Sequence, residues 1–193
     1  MMQRTMLAMV MLALAACSPP ERDSNGAATA ELPPVRSQAG CFAEFSRDWS
    51  AVGSNYYVIE AEAEGASCRE AVATMRITGR DGAMLFEQDY PTAQVPLAFN
   101  PNSNQTALRT ELEAWTVNTA QPPTADTLPA WPAGAERPPH FQPANGVTRN
   151  QYEGARGAQG PLFCFPDGGE SNACVAMQGD SATLLGSLTP ERP

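Results

Sequence analysis

Few side chains in this sequence could carry catalysis, and their spacing decides most of the cases. The chain has a single imidazole, His140, held between Pro139 and Phe141. A serine triad needs a base beside its nucleophile, and no Gly-x-Ser-x-Gly elbow accompanies this histidine, so His140 reads as a surface or packing residue. All 12 basic residues are arginine. Without lysine, Schiff-base and Walker-type phosphate chemistry are excluded. The 21 acidic residues leave room for the two carboxylates that glycoside hydrolysis requires. Spacing points elsewhere for the best-defined group. Glu60, Glu62 and Glu64 recur at every second position, about 7 Å apart on one side of an extended strand, which suits a solvated face better than a desolvated general acid or a calcium site. The turn Asp167-Gly168-Gly169-Glu170 lacks the ligand ladder of an EF-hand and the lysine of a phosphate loop. Turn chemistry accounts for it.

The N-terminus reads Met1, Met2, Gln3, Arg4, then an uncharged apolar run from Met6 to Ala16. One positive charge followed by a short apolar stretch is the plan of a secretory signal, and the run falls short of the ~20 residues a membrane-spanning helix needs. Its end, Leu14-Ala15-Ala16-Cys17, resembles the lipobox of bacterial lipoprotein precursors. The resemblance is confined to this leader and its cysteine. It implies removal of residues 1–16, a diacylglyceryl thioether on the Cys17 sulfur and acylation of the new amine. Each buried methylene contributes about 0.8 kcal/mol, so two or three acyl chains hold a protein on a membrane essentially permanently. Ser18 is not the Asp that signals inner-membrane retention in enteric bacteria, which favours the periplasmic face of the outer membrane.

Loss of Arg4 with the leader takes the formal charge from −9 to about −10. Nucleic acids and anionic headgroups need basic groups to neutralise their phosphates, so neither is expected as a partner. No cofactor is expected either. With Cys17 assigned to lipid, Cys41, Cys68, Cys164 and Cys174 remain. An even count in an oxidising compartment reads as two disulfides, with three connectivities open. The preferred pairing is Cys41 with Cys68 and Cys164 with Cys174. A zinc site would want a C-x2-C spacing, and a redox centre a Cys-x-x-Cys; neither occurs.

The elements that must position these residues follow from periodicity. Residues 18–39 are rich in Pro, Ser, Ala, Asn and Glu and show no apolar period; this is a flexible tether reaching roughly 25 Å. The folded body, residues 40–193, is expected to be a single α+β domain, with two domains split by a proline-rich segment as the alternative. From Tyr56 to Glu64 the alternation puts Tyr57, Ile59, Ala61 and Ala63 on one side and the three glutamates on the other, the mark of a half-buried strand. Asp81-Gly82 between the runs Val72–Thr78 and Ala83–Tyr90 signals a hairpin with a type I′ turn. Residues 41–90 are therefore expected to form an antiparallel meander.

Between Asn102 and Val117 the period changes. Leu108, Leu112 and Trp115 fall on one helical stripe, and Asn102 with Gln105 offers a capping box, so an amphipathic helix is expected over about 102–117. Leu108, Thr110, Leu112 and Ala114 also alternate, leaving a strand as the alternative. Residues 118–146 contain seven prolines, too many for a helix or sheet to run through. Leu128, Trp131 and Phe141 argue for an extended belt packed on the domain. Thr148 with Gln151 opens a short helix to about Arg156. Strands at 161–166, 173–178 and 182–188 complete a second meander. Cys164 and Cys174 lie five residues either side of Gly169, opposite each other in a symmetric hairpin.

Taken together, the residues describe a lipid-anchored, disulfide-stabilised envelope domain that acts as a non-catalytic binding or structural component. Glu60, Glu62 and Glu64 with Trp131, Phe141 and the segment Phe163 to Phe165 are the candidate surface for a basic protein or a glycan. Competing expectations are a carboxylate-dependent cell-wall or glycan hydrolase, a redox carrier, and, by analogy of compartment alone, an inhibitor of a basic periplasmic enzyme such as lysozyme.

Overall fold

The computed structural model describes residues 40–50, 56–117 and 123–190. Cys17, the leader and the tether lie outside them. Alternation of small or apolar residues with polar ones builds four consecutive strands, β1 (Cys41–Ser50), β2 (Tyr56–Gly65), β3 (Val72–Gly79) and β4 (Met84–Pro91), paired antiparallel in that order. Their inner side is Tyr57, Ile59, Ala61 and Ala63 from β2 and Ala73, Met75 and Ile77 from β3, all buried. The β3–β4 connection departs from the type I′ turn. Gly82 alone has positive φ (79°), the Gly82 N–H donates to Gly79 O at 3.0 Å and the Gly79 N–H to Ala83 O at 2.9 Å. That is a three-residue loop, in which only the last position needs the left-handed conformation, so Asp81 is spared it.

Helix α1 (Gln105–Trp115) starts later than the expected capping box places it. Asn104 is the N-cap, its side chain accepting from the Ala107 N–H at 2.9 Å, whereas the Asn102 N–H donates to the Asn100 side chain. Asn104 and Asn102 are equally good caps by type; the buried stripe Leu108, Leu112 and Trp115 fixes which one is used. The same stripe rules out the strand alternative. In α2 (Arg149–Ala158) the capping box of Thr148 and Gln151 is formed in both directions, and the helix runs two residues past Arg156 to a left-handed Gln159.

The second sheet contains β6 (Leu162–Pro166), β7 (Asn172–Gln178) and β8 (Ser181–Leu188), and one strand beyond the expected meander, β5 (Phe141–Pro143). The order is β5-β8-β7-β6, all antiparallel. A proline segment thus does enter the sheet, but at its edge and for three residues, where Pro143 removes no interior ladder bond. The molecule is α+β, with two four-stranded antiparallel sheets and two helices.

Strand β7 holds the layers together. Its residues Ala173, Val175 and Met177 join Phe163 and Phe165 in a core shared with the first sheet and α1. The intervening Cys174 and Ala176 join Leu162, Leu185, Phe141 and Leu128 under Tyr152 and Ala155 of α2. A strand covered on both sides reads as a continuous apolar run, which is how Ala173–Met177 is written. Helix α2 also supplies partners for segment 128–131. Tyr152 Oη donates to Pro129 O at 2.8 Å, Arg156 Nε to Leu128 O at 2.9 Å, and Glu153 accepts the Trp131 N–H at 2.7 Å. Backbone groups that no ladder can reach are thereby satisfied.

Both disulfides take the preferred pairing. Cys41–Cys68 ties the start of β1 to the turn after β2, and Cys164–Cys174 bridges directly opposed residues of β6 and β7. The bonds from Asp167 N–H to Ser171 O and from Met177 N–H to Pro161 O make the odd-numbered β6 positions the hydrogen-bonded pairs. Cys164 and Cys174 therefore occupy the closer, non-hydrogen-bonded kind, with Cα atoms 4.1 Å apart. Among the described residues no helix is long and apolar enough to cross a membrane.

Candidate functional site

The outer side of the first sheet gathers seven charged side chains in three rows, six of them acidic. Register alignment sets out its rows. Glu44 of β1 lies opposite Glu62, which lies opposite Thr74, which lies opposite Asp89. The next row reads Ser46, Glu60, Arg76, Glu87, and the row on the other side Phe42, Glu64, Val72, Pro91. Period two along each strand puts all of these side chains on the side away from the core.

Arg76 is the cation of the Ser46 row, and it is committed. Its Nε donates to Glu87 at 2.7 Å and its Nη1 to Glu62 at 3.2 Å. These bonds, Glu87's foremost, hold the guanidinium in its charged form more firmly than usual. Thr74 donates to Asp89 at 2.7 Å. Glu44, Glu60 and Glu64 form no hydrogen bond or ion pair with any of the described residues, and the same is true of Arg109 on the exposed side of α1.

Three adjoining depressions cross this surface. The central one, of about 390 Å³, is walled by Glu44, Ser46, Glu60, Glu62, Arg76 and Arg109. It shares Glu44 and Arg109 with a depression reaching Phe42 and the first turn of α1, and shares Glu62 and Arg76 with one reaching Glu64, Val72 and Asp89. The result is a shallow trough running across the strands from α1 toward β4. Its lining is mostly charged, with Phe42 and Val72 at one margin.

The aromatic residues expected to rim the glutamates are elsewhere. Phe141 is 2% exposed, Phe163 0% and Phe165 1%. Phe141 and Trp131 pack on Tyr152, with ring centroids 5.0 and 5.6 Å away, beneath α2 on the far side of the second sheet. They serve as core because α2 and the proline segment need an apolar footing there. Phe42, Glu44 and Arg109 belong to the trough but escaped the reading of the sequence. The first two carry a readable signal, since Phe42, Glu44, Ser46 and Asp48 alternate with Ala43, Phe45, Arg47 and Trp49. Arg109 carries none, because its place depends on how α1 docks.

His140 has φ 53°, and its carbonyl accepts the Thr189 N–H at 2.8 Å as the chain turns into β5. Its conformation belongs to that turn. Among the described residues no group of three or more His, Cys, Asp or Glu side chains is arranged to hold a metal ion. Comparison with protein-family models, with curated proteins and with solved structures returned no match.

Proposed function

We propose that this protein is a lipid-anchored component of the bacterial envelope, held by Cys17 on the periplasmic face of the outer membrane, that binds a positively charged partner through the outer side of its first sheet. The supporting observation is the set of carboxylates Glu44, Glu60 and Glu64 that pair with none of the described residues, with Glu44 set directly opposite Glu62. Like charges facing across a strand pair destabilise a sheet, and a cationic partner would relieve them. The trough is broad and open, as a docking surface for a protein or a glycan should be. The hydrolase reading asks for two converging carboxylates, one stripped of water. Here Glu62 keeps 24% of its side chain exposed and is bonded to Arg76.

Two experiments test the proposal. Lysozyme serves as a basic probe: the purified domain should retain it at low salt and release it as salt rises, and Glu44→Gln/Glu60→Gln/Glu64→Gln should bind it at least about tenfold more weakly. Equal binding by the triple variant would sink the docking surface. Cys17→Ser should give a soluble or uncleaved product; unchanged membrane fractionation would sink the anchor.

A further inference from the structure

We infer that the central depression, between α1 and the β1–β2 pair, takes a short peptide carrying ammonium groups together with a free carboxylate. The inference rests on the outer side of the first sheet being a binding face, and it narrows what that face selects. Arg109 follows the buried Leu108 on α1, so its side chain leaves the core and lines two of the depressions together with Glu44. Within that shared wall the guanidinium and the carboxylate do not pair with each other, and neither has another partner among the described residues. Glu60, on the same wall, also forms no ion pair with any of the described residues. Arg76, by contrast, is fully engaged with Glu62 and Glu87.

The charged side chains of this depression that make no ion pair among the described residues are therefore two carboxylates and one guanidinium. A ligand bearing only positive charge would approach Arg109 unfavourably, and one bearing only negative charge would meet Glu44 and Glu60. Two ammonium groups and one carboxylate answer all three. The planar guanidinium recognises a carboxylate through two parallel hydrogen bonds, which fixes the direction of the ligand as well as its charge. A volume of about 390 Å³ falls at the lower end of small-ligand sites. That is room for a peptide of very few residues, and the adjoining depression extends to the first turn of α1.

The probe is lysyl-alanyl-alanine with free ends, compared with its C-terminal amide by titration into the 15N-labelled domain at low salt. The free peptide should shift the amides of Glu44 and Glu60 and the Nε–H of Arg109, and bind about fivefold to tenfold more tightly than the amide. Arg109→Gln should abolish that difference, weakening the free peptide while the amide, relieved of the repulsion from Arg109, binds more tightly, and Glu44→Gln should weaken both peptides, each variant keeping the wild-type unfolding midpoint to within a few degrees. The inference is overturned if the amide binds as well as the free acid, if Arg109→Gln leaves the free acid's affinity intact, or if no shifts occur below about 20 mM peptide. Retained binding of lysozyme in those cases would leave the docking surface standing without this selectivity, whereas loss of both would remove it too.

Discussion

Glu44 and Glu62 face each other directly across β1 and β2, two carboxylates at a register position where opposite charges would have strengthened the sheet. Glu62 is balanced by Arg76 from β3; Glu44 has no counterpart among the described residues. Glu44→Gln should therefore raise stability by about 0.2–1 kcal/mol at low salt, with the gain fading as salt shortens the screening length. Denaturant midpoints at two ionic strengths measure it. A lower midpoint for the variant at both would show that the pair does not repel.

The two disulfides should contribute unequally. They close loops with sequence separations of 27 and 10. In the chain-entropy account, that gives about 3.5 kcal/mol for Cys41–Cys68 and about 2.7 kcal/mol for Cys164–Cys174. Chemical unfolding of the two double serine variants should rank them in that order. Mass spectrometry of non-reduced peptides checks the pairing, and a Cys41–Cys164 link would contradict it.

Gly186 controls whether β5 can join the second sheet. The β7–β8 register slips between Cys174 and Val175, leaving Leu185 as an extra residue whose carbonyl accepts the Ala144 N–H at 2.9 Å. Gly186 beside it has φ 145°, and a Cβ there would stand 2.1 Å from Gln142 O. Gly186→Ala should cost about 3 kcal/mol or more, through both strain and overlap. Hydrogen exchange should show the Ala144 amide losing protection before the β6–β7 ladder does. Equal loss throughout would mean that β5 is not a separate unit.

Acid and alkali should each loosen the attachment of the proline segment to α2. The Trp131 N–H and then Arg156 hold the Glu153 carboxyl below its ordinary pKa. A lowered folded value means that this stabilisation is complete above about pH 4.5 and is lost as pH falls through the folded pKa. Burial raises Tyr152 to about 12, so its contribution is complete below about pH 10 and is lost as pH rises toward 12. Glu153→Gln should flatten the acid limb of the stability profile and Tyr152→Phe the alkaline limb. If either limb keeps its slope in its variant, the assigned group is not responsible.

Much of the fold was legible because it is written in short periods. The alternation in Tyr57–Glu64 assigns a strand and its two sides, and the spacing of Leu108, Leu112 and Trp115 assigns a helix and its buried stripe. The symmetry about Gly169 placed Cys164 opposite Cys174. What the residues did not reveal depends on partners distant in the chain. Phe141 looks like any aromatic in a proline-rich stretch until β8 and Tyr152 are beside it. Asn102 and Asn104 are interchangeable caps until the core chooses where the helix begins.

The same division holds for the candidate site. That Glu60, Glu62 and Glu64 share one side of a strand is readable from residue order alone, because side-chain direction in an extended chain is a local, two-residue property. Which carboxylates are neutralised emerges from the packing of elements distant in the chain. Arg76 reaches Glu62 and Glu87 across two strand pairs, and Arg109 arrives from a helix more than forty residues further on. Electrostatic pairing acts over a few ångströms of space, and those distances exist only once strands and helix are packed together.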